Sequence, residues 1–108
     1  QVNVSGEASK SGVQPQELEA LARGVAPLPR LELRGLMAIP APSLDADEAA
    51  RRAPFAHLRH LLESLQLLEI EAPRLDTLSM RMSDDLEPAI AEGATLVRVG
   101  SAIFGARA

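Results

Sequence analysis

The run from Asp76 to Gly105 reads DTLSMRMSDDLEPAIAEGATLVRVGSAIFG. It sets a strand, a hydroxyl-rich turn, a helix, a second strand and a glycine-hydroxyl turn end to end, with no spare residues between them. Leu75–Met80 and Thr95–Val99 read as strands. Ser83, followed by Asp84 and Asp85, marks the helix start: a hydroxyl cap with carboxylates on the positive end of the dipole. Gly93 marks its end as a left-handed cap. Two strands joined by one helix lie parallel, with a right-handed crossover. Both strands end in small polar residues. In a β/α barrel the loops after strands 7 and 8 are where phosphate is held.

The rest of the chain repeats the alternation. Gln1–Val4 alternates polar and apolar as a short strand, and Ser5–Gly12 is a turn-rich loop. Pro15 lies where a first helical turn would begin, with Leu18, Leu21 and Val25 following at helical spacing. Pro27 and Pro29 stop that helix. Leu31–Ile39 is the next strand, followed by a loop containing Pro40, Pro42 and Ser43. From near Asp45 a long helix carries the apolar stripe Phe55, Leu58, Leu61, Leu62 and Leu65, and reaches about Gln66–Leu68. Pro88 falls just inside the third helix, where it predicts a kink or a tight first turn. Strands alternating with helices imply a parallel α/β sheet. Four such units form either a small open sheet or half of an eight-stranded barrel.

Composition narrows the function classes. The 108 residues are 46% hydrophobic and 24% charged, as expected of a globular domain. No apolar run is long enough for a transmembrane helix, and no leader is visible. The chain opens directly in a strand without methionine, so a fragment of a longer protein is expected. Cysteine is absent, which excludes disulfides and thiolate metal sites and fits a cytoplasmic setting. The net charge is −4, and Arg51-Arg52 sits beside Asp45, Asp47 and Glu48. With no Trp or Tyr, and only Phe55 and Phe104 as aromatics, a nucleic-acid surface is not expected.

Arg98 is the most informative single residue. In Leu96-Val97-Arg98-Val99-Gly100 side chains alternate, so Val97 and Val99 face the helices and Arg98 faces the other way. A guanidinium there needs an acceptor. Two readings stand: an internal salt bridge to a carboxylate, or a ligand contact. Ser79, Gly100 and Ser101 form a candidate phosphate cup, through a hydroxyl, a close backbone approach and an amide with a hydroxyl. They equally suit turns that satisfy their own backbone. Lys10 is the only lysine. His57 and His60 lie three apart on the long helix but lack a third ligand, so no metal site is expected. Glu7, Asp84 and Asp85 read as loop and cap residues.

The segments QVNVSGEASKSGV (Gln1–Val13), LRGLMAIP (Leu33–Pro40), DTLSMRMSDDLE (Asp76–Glu87) and LVRVGSAIFGAR (Leu96–Arg107) resemble, in order, the pyridoxal phosphate homeostasis protein family. These are single-domain barrels related to the N-terminal domain of alanine racemase. The resemblance covers nearly the whole chain but only the second half of the family's length. It implies an α/β fold: the C-terminal half of a (β/α)8 TIM-type barrel, with four strand-helix units and residues 1–108 inside one pyridoxal-phosphate-binding domain. A half barrel has bare edges, so its missing N-terminal half, or another copy, is expected to complete it.

By the same resemblance, Arg98 matches the arginine facing the pyridine nitrogen of pyridoxal 5′-phosphate. An arginine does not easily give up its proton, so the nitrogen stays unprotonated and the ring is a weaker electron sink. Ser79, Gly100 and Ser101 match the phosphate cup, with serine at Ser101 where many members have threonine. Arg81 departs from the family's usual glycine; it either adds a cation near the phosphate or crowds the cup. The family's Schiff-base lysine lies on the first barrel strand, outside this sequence, and Lys10 falls in the Ser-Lys-Ser-Gly loop. The implied function is non-catalytic binding of pyridoxal phosphate in intracellular vitamin B6 homeostasis, in the cytoplasm, with no nucleic-acid or membrane partner and no enzyme activity. The alternative is an amino-acid racemase of the alanine racemase type. That chemistry typically pairs a lysine with a tyrosine, and no tyrosine is present.

Overall fold

The computed structural model describes residues 1–4, 11–39, 48–68, 70, 72–80 and 86–98. Pro15–Glu17 form a single 3-10 turn that leads straight into α1, Leu18–Val25. Proline suits this position because its fixed φ is helical and its missing N–H has no partner to lose. Leu18 and Ala22, one turn apart, are buried, while Leu21 is exposed. The Ala26 N–H still bonds the Ala22 carbonyl, and the helix stops before the two prolines. Arg30 then takes a left-handed conformation, φ 67°, and turns the chain toward the sheet.

Three parallel strands follow in chain order across the sheet: β1 (Gly35–Ala38), β2 (Thr77–Met80) and β3 (Leu96–Val97). Each is shorter than the sequence pattern suggested, since only the stretch that pairs keeps ladder geometry. Gln1–Val4 narrows further, to one residue. Val2 bridges Val13, and its N–H donates to the Met37 carbonyl at 2.8 Å, so this segment lies beside β1 without being a regular strand. The expected parallel α/β arrangement is therefore present, with three strands among the described residues.

α2 (Glu48–Gln66) covers one face of this sheet. Phe55, Leu58, Leu62 and Leu65 are buried there in one cluster with Leu36 and Ala38 of β1 and Leu78 and Met80 of β2. Each large side chain buried in this way contributes about 2 kcal/mol. That is enough for the stripe to carry Pro54 inside the helix, a break in the N–H ladder that the leucine spacing does not announce. Gln66 ties the helix end to the strand layer through a 2.7 Å bond from Nε2 to the Leu75 carbonyl.

α3 (Leu86–Ala91) is only six residues long and buries Ala89. Pro88 is its third residue, where no intrahelical N–H bond is lost, so a tight first turn holds and no kink is needed. The expected glycine cap is present: Gly93 has φ 95°. Its N–H donates to the Ile90 carbonyl and that of Ala94 to the Ala89 carbonyl, both at 3.0 Å, which is a Schellman ending.

Two features lock β1 against β2. Glu32 and Arg34 enter β1, while Arg74 and Asp76 enter β2. Arg74 pairs with Glu32 at 3.4 Å and Arg34 with Asp76 at 3.1 Å, the latter across a 42-residue separation. The strands themselves pair at this same offset, Gly35 opposite Thr77. The charge signs are mirrored, so a two-residue slip sets like charges together. Above this ladder the N–H groups of Asp76 and Thr77 both donate to the Arg34 carbonyl at 2.9 Å. The backbones approach so closely that a Cβ on Gly35 would fall on the Thr77 carbonyl.

Gly35→Ala should therefore cost about 3 kcal/mol, the upper range for forced overpacking, read as a lowered urea midpoint at unchanged m-value. A second expectation concerns acid. The Arg34 hydrogen bond, then that of the Thr77 hydroxyl, hold the Asp76 carboxyl below its ordinary 3.8. A group depressed in the folded state stabilises above its unfolded pKa and loses that contribution as pH falls through the folded value. Asp76→Asn should remove this part of the acid-side loss in urea melts taken across the carboxylate range. The difference should shrink in high salt, because both side chains are exposed.

Candidate functional site

The strand register sorts side chains between two faces. Leu36, Ala38, Leu78 and Met80 face α2. Gly35, Met37, Thr77 and Ser79 face the other way. Ser79 sits opposite Met37 on one side and Leu96 on the other. This second face is thinly covered: Met37 and Ser79 are half-buried and Leu96 is 53% exposed.

β3 is held to β2 by Thr95, whose N–H donates to the Leu78 carbonyl at 3.0 Å and whose Oγ1 accepts the Leu78 N–H at 2.8 Å. Leu96 thereby shares the Ser79 face, and Arg98 follows it two residues later. The Arg98 guanidinium extends back to the end of β1, where Nη2 donates to the Ala38 carbonyl over a long 3.4 Å. Its Nε–H is buried and has no acceptor among the described residues. Ala38 and Met80 are the last residues of their strands, so the guanidinium lies at the C-terminal ends of the strands. In α/β sheets ligands bind at that end.

Of the four residues singled out from the sequence, Ser79 and Arg98 thus share one face and one end of the sheet. Gly100 and Ser101 lie outside the described residues, as do Arg81, Lys10, Glu7, Ser83, Asp84 and Asp85. The salt-bridge reading of Arg98 has no support among the described residues, where no carboxylate pairs with it. A guanidinium at the strand ends, with an N–H that has no acceptor among the described residues, is able to donate to an acceptor lying in its plane. His57 and His60 are both exposed on α2, and no cluster of metal-ligating side chains exists among the described residues.

One charged group went unnoticed in the sequence. Glu92, the residue that caps α3, is only 6% exposed. Arg59 Nη1 donates to its Oε1 at 2.8 Å, while Arg52 donates Nε at 3.2 Å and Nη2 at 3.1 Å to its Oε2. The signal available was the seven-residue spacing of Arg52 and Arg59, which puts both on one side of α2. Nothing local named their acceptor, 33 residues beyond Arg59 and 40 beyond Arg52.

Comparison with known proteins agrees with this fold. The family model for the alanine racemase N-terminal domain matches residues 1–108. The pyridoxal phosphate homeostasis protein of Pseudomonas aeruginosa is 64% identical over 107 residues, and that of Escherichia coli 54%; each match takes in 99% of this chain. The chain spans 43% and 44% of their lengths, less than half of either relative. Among solved structures, PipY of Synechococcus elongatus without PLP superposes with a TM-score of 0.80 at 41% identity, covering 97% of this chain and 47% of PipY. PipY with PLP bound superposes at 0.73 and 38% identity, covering 90% and 44%. The likeness to the pyridoxal phosphate homeostasis proteins read from the sequence therefore holds along the chain. A match across every residue and the same parallel α/β sheet make this chain a member of the alanine racemase N-terminal-domain family.

Proposed function

We propose that residues 1–108 are the C-terminal half of one (β/α)8 barrel that binds pyridoxal 5′-phosphate. In this reading the protein is cytoplasmic, holds the cofactor without turning over a substrate, and serves vitamin B6 homeostasis. The observation that carries the reading is the buried Arg98 Nε–H, which has no acceptor among the described residues, on the Ser79 face of the sheet. Three further facts support it. The curated relatives carry the homeostasis name, and PipY was crystallised with PLP bound. The strands run in simple sequential order, as a barrel arc requires. Leu96 on β3 is 53% exposed, and the relatives are more than twice as long.

Each side chain then has a task. The Ser79 hydroxyl donates to the phosphate, joined by the Ser101 hydroxyl and amide, while Gly100 admits the phosphate close to the backbone. Arg98 donates to the pyridine nitrogen and keeps its own proton. Bound pyridoxal phosphate supplies an aldehyde reactive toward amines and a ring that withdraws electrons. An arginine at the ring nitrogen limits that withdrawal, which suits storage and delivery better than broad amino-acid chemistry. The lysine that would engage the aldehyde belongs to the other half of the barrel.

Titration of the full-length protein with pyridoxal phosphate tests this. Arg98→Gln and Ser79→Ala should each weaken binding about tenfold, the scale of one charged hydrogen bond. Inorganic phosphate should compete with the cofactor for the Arg98→Gln variant, and much less for Ser79→Ala. Full affinity in the double variant would overturn the site. Racemisation of alanine by the wild-type protein would replace the non-catalytic reading with the racemase one.

A further inference from the structure

We infer that Glu92 is a positioning residue for Arg98: its ion pairs with α2 fix the corner from which β3, and therefore the Arg98 head group, projects. Where this concerns ligand affinity, it rests on the proposed function; where it concerns Arg98 itself, it does not.

Among the side chains described in α3, Ala89 is buried, while Ile90 is 56% exposed. A helix of six residues gains from a specific tie to its neighbour. The Glu92 carboxylate supplies that tie. Both of its oxygens are occupied, by guanidinium groups approaching from two turns of α2. Arg59 is itself steadied by Glu63 one turn on, at 3.7 Å. A carboxylate this buried has few other ways to be satisfied, so its place is tied to those of Arg52 and Arg59.

The tie lies close to the site along the chain. Glu92 is the C-cap of α3, Gly93 and Ala94 complete the turn, and Thr95 locks onto both backbone groups of Leu78. β3 is then only Leu96 and Val97, and Arg98 follows. Two paired residues cannot set the position of a strand by themselves. The corner before them does so instead, and the weak 3.4 Å bond from Arg98 to Ala38 cannot resist a shift of that corner. Glu92 acts through the backbone that joins it to Arg98: the helix cap, Thr95 and β3.

The test uses the full-length protein labelled with nitrogen-15. A buried arginine Nε–H gives its own resonance, and that of Arg98 is identified by its loss in Arg98→Lys. Glu92→Ala should shift or broaden this resonance without any ligand, and should weaken pyridoxal phosphate binding about tenfold. Glu92→Gln keeps one arginine hydrogen bond and should show a smaller change of the same kind, which covers the case where Glu92→Ala does not fold. Leu18→Ala, a core truncation on α1, is the control for general loss of stability; it should leave the resonance and the affinity unchanged. An unmoved Arg98 resonance in both Glu92 variants overturns the inference. So does an equal shift in Leu18→Ala. A shifted resonance in a protein that does not bind pyridoxal phosphate upholds the role of Glu92 and removes the proposed function instead.

Discussion

The pairing of β1 with β2 decides nearly everything else in this chain. Once Gly35 lies opposite Thr77, Leu36, Ala38, Leu78 and Met80 must turn toward α2, and Met37 and Ser79 must turn away. A slip of one residue would exchange the two sets, exposing the core and burying the hydroxyl. Burial of Phe55, Leu58, Leu62 and Leu65 on the first set provides the driving force. The mirrored charges at Glu32–Arg74 and Arg34–Asp76 contribute little energy, being exposed, but they penalise wrong registers. Apolar burial supplies affinity between the layers, and charge supplies the alignment.

Much of this was legible in advance. The helical spacing of the α2 stripe, Pro15 at the start of the first helical segment and the Gly93 cap are local signals, and each acts within a turn or two of chain. That Arg98 lies on the side of the sheet away from Val97 also follows from alternation alone. What the chain did not advertise was long-range. Glu92 looks like a surface residue beside a glycine until α2 brings two arginines to it. Strand ends were overestimated because apolar alternation continues past the last paired residue. Pro54 was silent for the opposite reason: tertiary burial overrode a local prohibition.

The two faces of the sheet follow different rules. The face toward α2 is close-packed and satisfied. The other carries a hydroxyl, a methionine, an exposed leucine and an arginine with one donor unpaired among the described residues. Apolar and polar groups mixed on a thinly covered surface are poor at driving folding. They are well suited to meeting a ligand that has both an aromatic ring and charged substituents. Sites of this kind are where local rules of stability are relaxed.

The long bond from Arg98 to the Ala38 carbonyl has one more consequence. On the proposed function, it holds the guanidinium beside the place the cofactor would take, through a bond long enough to be exchanged easily. Admitting the cofactor would then exchange one weak bond for a stronger one. A main-chain oxygen thus serves as a placeholder, keeping the side chain cocked and readily released.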